Sequence, residues 1–423
     1  MNSRELKEKI KNSEKLFKDI YGENCSEEQI SRYLSAVDRF TEIFGERDNL
    51  QIYSAPGRTE ICGNHTDHNL GKVVAGSVNL DVIAVVSPNN SDIIKIQSEG
   101  YPCDTVNINE TDIIESEYNK SVSLVRGTAA RFKELGYKIG GLCAYTVTNV
   151  LKGSGLSSSA AFEVLTGTIL NGLYNDMSIS PVEIAKIAQY AENKYFGKPC
   201  GLMDQMASSV GGIITIDFKD EKNPLIEKID FDFAKEGYSL CIVDTGGNHA
   251  DLTNEYASIP QEMKAVAEFF GKKVLREIRK EDVMENIADL RKVCGDRAVL
   301  RAFHFFDENE NVANQTKALN SGNFDEFLSY SKKSGNSSYK YLQNVYANIA
   351  PREQGISLAL YTAENILKGR GACRVHGGGF GGTTQNFVPN DMVSEFKKNI
   401  EKVFGENKCH VLNIRKYGGI KVL

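Results

Sequence analysis

No stretch of this 423-residue chain approaches the roughly 18 consecutive apolar residues of a membrane helix. Its opening residues, MNSRELKEKIKNSEK, lack the apolar core of a secretory leader, so a cytoplasmic protein with no membrane partner is expected. Cysteine is sparse and unpatterned: nine residues, an odd number, scattered from Cys25 to Cys409 with no CxxC pair. That argues against a disulfide framework and a structural zinc site, and fits a reducing compartment. Positive charge is not in excess either. Lys and Arg number 50 against 56 Asp and Glu, a net charge of −6, which leaves no basic footprint for a nucleic acid. There is no internal repeat and no low-complexity tract.

What is present is ordinary for a globular protein: 41% apolar and 25% charged residues, over a length that suggests two or three domains. Two charged amphipathic helices are expected within the first 45 residues, with apolar positions such as Leu16, Ile20, Tyr33, Val37, Phe40 and Phe44. An extended segment begins at Ile52 and breaks at Pro56-Gly57. Val73 to Val86 reads as two strands around Asn79, and Ile93 to Ile96 as another. Leu142, Ala144, Thr146, Thr148 and Val150 share one parity and predict a strand. A helix follows it, striped by Phe162, Leu165, Ile169 and Leu173. Ser180-Pro181-Val182-Glu183 is a capping box with proline at the first helical position, and Gly197 is that helix's stop. Strands over Leu240 to Asp244 and His410 to Ile414 alternate with long helical patterns, giving an α+β chain with a boundary near 215–235.

The most specific local signal is Lys152-Gly153-Ser154-Gly155-Leu156-Ser157-Ser158-Ser159-Ala160-Ala161. A strand feeds a glycine-rich turn, and a helix begins at the serines. The first amides of a helix have no internal acceptor and sit at the positive end of its dipole, which suits phosphate. The serine hydroxyls serve as caps or reach a metal on the phosphates. No Gly-Lys-Ser/Thr follows, so this is not a Walker A loop. A flexible Gly/Ser linker is the plainer reading, but linkers seldom join a strand so tightly to an amphipathic helix.

Gly57 to Asn69 packs donors and acceptors into one turn after a strand. Asp67 is able to accept two hydroxyl protons at once, as a polyhydroxylated ligand requires, and Arg58 is a permanent cation for a transferring phosphoryl group. Metal ligation by His65, Asp67 and His68 is a rival reading, and a solvated loop a third. Glu192 falls near the end of the helix begun at Pro181, against the negative end of the dipole. A magnesium ion would remove that penalty; a solvated helix-end glutamate needs none. Asp204 lies among apolar and small residues, where burial raises a carboxyl pKa towards that of a base, unless it caps the next helix. Gly377 to Gly382 holds five glycines in six positions, a loop pressed against a ligand or another backbone, or a tight strand connection.

In order and spacing these segments together resemble the GHMP kinases, named for galactokinase, homoserine, mevalonate and phosphomevalonate kinases, and they are most similar to the galactokinase branch. Gly57–Gly71 resembles its sugar signature, GRxNxIGEHTDYNxG. Gly153–Ala161 resembles the ATP loop, Gly371–Gly382 the third motif, and Pro199–Gln205 the stretch that holds a catalytic aspartate. The resemblance implies an N-terminal domain like ribosomal protein S5 domain 2 over 1–217. A smaller α+β domain over 218–423 would pack against it, with ligands in the cleft. It implies Asp204 as catalytic aspartate with Arg58 beside the phosphoryl. Gly153, Ser154, Gly155, Leu156, Ser157, Ser158 and Ser159 would hold ATP, and Ser159 and Glu192 would serve Mg2+. Asn64, His65, Asp67, Gly201 and Tyr256 would line a sugar phosphorylated at its anomeric hydroxyl, galactose first, galacturonate or an amino sugar next. A non-catalytic sugar sensor is a third outcome, against which the intact serine-rich loop and Asp204 both speak. Asn64 stands where the signature has glutamate, which bears on the C6 end of the sugar. His68 replaces a tyrosine, His376 a threonine, and Gly246 to Leu252 matches its counterpart only loosely.

Overall fold

The computed structural model describes residues 1–22, 26–151, 155–247 and 252–423. Three helices open it: α1 (Ser3–Lys11), α2 (Glu14–Tyr21) and α3 (Ser26–Phe44). Two were expected; Asn12 and Ser13 end the first early and start a second. Strands β1 (Gln51–Cys62), β2 (Lys72–Pro88), β3 (Ile93–Ser98) and β4 (Cys103–Asn107) follow, then α4 (Ser121–Glu134) and β5 (Leu142–Thr148). Next come α5 (Ser158–Tyr174), α6 (Pro181–Ala191), α7 (Met203–Val210), β6 (Ile213–Asp217) and β7 (Leu225–Ile229). The first sheet runs β12-β1-β2-β5-β3-β4, with β6 and β7 added along β2; its edge strand β12 (Ile420–Lys421) comes from the far end of the chain.

A second sheet, ordered β11-β8-β10-β9, is built from β8 (Tyr238–Asp244), β9 (Ala372–His376), β10 (Thr383–Pro389) and β11 (Cys409–Leu412). Between its strands lie α8 (Thr253–Phe269), α9 (Lys280–Glu285), α10 (Ile287–Val293), α11 (Asp296–Asn320), α12 (Phe324–Ser337), α13 (Gly355–Leu367) and α14 (Val393–Phe404).

Strand β2 organises the first half. It is one strand of 17 residues, not the pair expected around Asn79. Residues 72–76 pair with β6 and 82–88 with β5, so two partners in succession keep it extended. Asn79 does not turn the chain: its amide donates to Asn413 O and its side chain accepts from Asn413 N. Strand faces alternate along β2. Val82, Ala84 and Val86 enter the core shared with α5, while Ile83 and Val85 meet Phe17, Val37 and Phe40 of the N-terminal helices. The helix α5 is buried almost all round, which is why its sequence is apolar beyond a single stripe. The expected break at Pro56-Gly57 is a bulge inside β1, one of two register shifts against β2. Gly57 is required there, since a Cβ would come within 2.8 Å of Leu156 O. The bulge aims Arg58 out of the ladder towards the start of α5.

The last residues close the first sheet. Val422 N donates to Ile52 O at 2.7 Å, and Arg415 reaches Asp81 at 2.7 Å with both side chains fully buried. Arg32 grips the same carboxylate at 2.6 Å, and Tyr21 and Ser54 donate to it. Burial opposes the charge on Asp81, but the two guanidiniums outweigh it and hold the carboxyl below its usual pKa. No helix among the described residues is long and apolar enough to cross a membrane.

Candidate active site

At the centre of the site β1, the start of α5 and the start of α7 converge. Arg58 forks onto Asp204, with Nε 2.6 Å from Oδ1 and Nη2 2.8 Å from Oδ2. Its third nitrogen, Nη1, donates to Gly155 O, and its own amide donates to Leu156 O at 3.0 Å. Ser157, the residue before α5, has left-handed backbone (φ 58°) and spends its hydroxyl on Asp204 Oδ2 instead of capping the helix. The start of α5 and the carboxylate at 204 thus lie side by side. Of the expected phosphate-loop residues, Gly155, Leu156, Ser157, Ser158 and Ser159 are described; Gly153 and Ser154 lie outside the described residues.

Asp204 does not behave as burial alone would have it. Desolvation pushes its pKa up, but the Arg58 guanidinium and the Ser157 hydroxyl outweigh it, and the pKa lies below the usual range. The expected rise towards a stronger base is therefore corrected: its partners keep this carboxylate ionised. It also sits in the first turn of α7 without capping it.

A second group surrounds the turn after β1. Gly63 has φ 102°, and a Cβ there would lie 2.5 Å from Lys72 O, so only glycine fits. His65 Nε2 donates to Gly378 O at 2.9 Å, which leaves Nδ1 as an acceptor in the neutral ring. Burial first, then the nearby His68, hold its pKa below the ordinary histidine value. Asp67 turns Oδ2 towards Gly201, where an added Cβ would come within 2.2 Å of it. Tyr256 donates from its hydroxyl to Gly379 O at 2.8 Å and packs edge-on against Phe380. The second glycine run therefore presses on both His65 and Tyr256. The alternative reading of His65, Asp67 and His68 as metal ligands finds no support, since no cluster of three such groups forms among the described residues.

Asn64 is placed differently from expectation. It is wholly buried, and protein groups occupy its amide. Nδ2 donates to Glu60 Oε1 at 3.0 Å and Gly377 O at 2.6 Å, and Oδ1 accepts from Asn344 Nδ2 at 2.7 Å. It ties the turn to the glycine run instead of facing the cleft. Glu60 in turn pairs with the fully buried Arg374 at 3.0 Å. His376 lies in the same network, against Thr59 and Thr383.

The third group is a pair of buried carboxylates. Gln205 Nε2 donates to Glu192 Oε2 at 2.7 Å and to Glu163 Oε2 at 3.0 Å, one amino group shared by two acids. Glu163 Oε1 and Gln205 Oε1 are buried without a partner. Burial, and then the Glu192 charge, drive the Glu163 pKa well above its usual value. Two acids that share one amide, with two orphaned oxygens beside them, make a donor set that a cation would satisfy. Magnesium commonly takes only one or two carboxylates together with substrate phosphates, so this donor set fits it. Ser158 and Ser159 line a cavity of about 560 Å³ whose walls include Val82, Val122, Phe162 and Phe196. Lys120 and Asn119 line it as well. An apolar slot that opens onto a helix start has the shape for a base attached to phosphates.

Sequence reasoning missed Glu163, Gln205 and a buried pair on α11. Glu308 Oε1 accepts from Gly63 N at 3.0 Å, Asn64 N at 3.3 Å and Ser334 Oγ at 2.5 Å. His304 Nε2 donates to Asn64 O at 2.9 Å. Glu163 had a signal, a lone acid inside an otherwise apolar helix. Glu308, among the acids of Asp307-Glu308-Asn309-Glu310, had none.

A helix start beside an Arg-bound aspartate suits phosphoryl transfer. The profile "GHMP kinases N terminal domain" matches residues 123–212, and "Galactokinase galactose-binding signature" matches 38–88. Galactokinase of Thermotoga petrophila is 34% identical over 330 residues, 78% of this chain and 86% of its own. Galactokinase of Actinobacillus pleuropneumoniae is 31% identical over 383 residues, 88% and 94% respectively. The Lactococcus lactis galactokinase structure, complexed with galactose, superposes with a TM-score of 0.79 at 24% identity, covering 92% of this chain and all of its own. A mevalonate kinase structure gives 0.60 at 16% identity over 86% of this chain. The fold is that of the GHMP kinases, as the motif order implied. Within that class, this chain belongs to the galactokinase family.

Proposed function

We propose that this protein transfers the terminal phosphoryl group of ATP to the anomeric hydroxyl of galactose, with Mg2+ as the metal. The observation that carries the reading is the meeting of Asp204 with Arg58 and Ser157 at the start of α5. Phosphates cradled by the amides from Ser157 to Ala160 would stand within reach of the carboxylate that receives the sugar hydroxyl. Phosphoryl transfer passes through a loose transition state in which the nucleophile's proton leaves late. A weakly basic aspartate therefore suffices: it orients the hydroxyl and takes the proton after the new bond has largely formed. Arg58 holds that aspartate and offers its charge to the transferring group.

The sugar would lie over Asp67, His65, Gly201 and Tyr256. Asp67 Oδ2 accepts hydroxyl protons, and the bare Nδ1 of His65 accepts another. Glu192 and Ser159 would hold the metal, with Glu163 and Gln205 behind them; the metal supplies charge neutralisation on the phosphates. ATP's base would enter the slot between Phe162 and Val122.

The C6 end separates galactose from its relatives. Asn64 brings no carboxylate there, and its amide is already engaged, so a C6 carboxylate would not meet the charge that a glutamate would present. The test is ADP release over galactose, galacturonate and galactosamine at matched concentrations. Galactose should give the largest kcat/KM. A preference of about a hundredfold for galacturonate would overturn the assignment, being of the order that a dedicated polar contact supplies. ATP and sugar binding without turnover would point instead to a sensor.

A further inference from the structure

Arg58 is the cation nearest Asp204, each of its three nitrogens donating one hydrogen bond, to Asp204 and to Gly155 O. A second cation overlooks the same acids. Lys198 Nζ lies 3.3 Å from Glu192 Oε1, and its side chain is 61% exposed where that of Glu192 is 4% exposed. The charges that face its ammonium are Glu192 and Asp204, and Glu163 lies within the same field. The backbone beneath it is fixed. Gly197 ends the helix with φ 82° and donates its N–H to Glu192 O. Pro199 disfavours helical backbone at Lys198. Cys200 N donates to Asn193 Oδ1 at 2.7 Å, while Cys200 O accepts from Gln189 and Asn193. Only the lysine stem, long and flexible, is left to swing.

The charge count gives that swing a purpose. Three acids meet here, at 163, 192 and 204, and with Glu163 pushed towards its neutral form by burial and by Glu192, the charges are those of Glu192 and Asp204. Arg58 answers Asp204, and Gln205 divides one amino group between the other two. Lys198 sits on Glu192 Oε1 and Gln205 on Oε2, so a divalent cation held by Glu192 would compete with the lysine ammonium for that carboxylate. We propose that Lys198 is an exchangeable counter-ion of the phosphoryl-transfer site. It neutralises Glu192 in the free enzyme, and it turns its ammonium onto the nucleotide's phosphates when a metal takes that carboxylate. The inference rests on the reading of Glu192 as a metal carboxylate.

The test uses the full chain with Lys198→Met, Lys198→Arg and Glu192→Gln. Mn2+ binding is measured by electron paramagnetic resonance in the presence of a non-hydrolysable ATP analogue, and kcat by ADP release at saturating metal. Lys198→Met should tighten Mn2+ about two- to fivefold, the worth of a half-exposed ion pair. It should also lower kcat about ten- to a hundredfold, as loss of a charge at the transferring group does. Lys198→Arg should keep most of the rate. Glu192→Gln should weaken Mn2+ about tenfold or more. If Glu192→Gln leaves Mn2+ binding intact, the metal reading fails and takes the exchange with it. If Glu192→Gln weakens Mn2+ while Lys198→Met leaves both binding and kcat at parental values, or weakens Mn2+ as well, the exchange alone is refuted.

Discussion

Replacing Glu308 by glutamine tests whether α11 sets the sugar turn. The parental carboxylate is fully buried and takes hydrogen bonds from Gly63 N, Asn64 N and Ser334 Oγ on one oxygen and from Asn311 on the other. Burial opposes its charge, but His304, Arg374 and those donors overcome it and lower the pKa from 4.5 to about 2. A folded pKa below the unfolded one means that stability is present above about pH 4.5 and is lost as pH falls through about 2. At 1.36 kcal/mol per unit, that sets an upper bound of roughly 3 kcal/mol, and less at neutral pH, where burial leaves His304 uncharged. Glu308→Gln, nearly isosteric but neutral, should therefore lose up to about that much in urea unfolding at pH 7. The gap to the parent should shrink through pH 4 and close near pH 2. Because the same oxygen holds the backbone of Gly63 and Asn64, the sugar KM should rise while the KM for ATP stays put. Equal stability of the two proteins at pH 7, or a gap that does not change with pH, would refute the reasoning.

Asp204→Asn keeps the shape but loses the acceptor charge, so turnover in an ADP-release assay should fall about 10²- to 10⁴-fold. Calorimetric galactose affinity should change little, and full activity in that variant would remove Asp204 from the reaction. Gly201→Ala would drive a Cβ to within 2.2 Å of Asp67 Oδ2; the sugar KM should rise with the ATP KM unchanged, and an unaltered sugar KM would show that Asp67 is not a sugar contact. Arg374→Met strands the buried Glu60, costing about 3–5 kcal/mol in chemical denaturation. Adding Glu60→Gln should restore part of that loss, and a purely additive double variant would argue against the pair.

Much of the site was legible because its chemistry is local. β5 ends at Thr148 and α5 begins at Ser158, and the first amides of a helix lack an internal acceptor wherever the helix sits. Asp204 was equally visible, but its protonation was not: the sequence displays its apolar neighbours, whereas Arg58 arrives from 146 residues away. The surroundings of Asn64 were hidden for the same reason, since its partners Asn344 and Gly377 lie some 280 and 313 residues on. The long β2 read as a hairpin because Asn79 is a turn former in isolation, and its use as a docking point for Asn413 has no local trace. Glu192 was found by its place against a helix dipole, while its companion Glu163 emerged only once Gln205 had joined them.

The return of the C-terminal strand to β1 has a bearing on biosynthesis. Asp81 is made early, yet Arg415, one of its two guanidiniums, leaves the ribosome more than three hundred residues later. Until then the edge of β1 at Tyr53 and Ser54 is unpaired and available to other chains. Nascent or truncated molecules should accordingly be drawn to chaperones or to one another, and a fusion that hinders Val422 from reaching Ile52 should cost soluble yield before it costs activity.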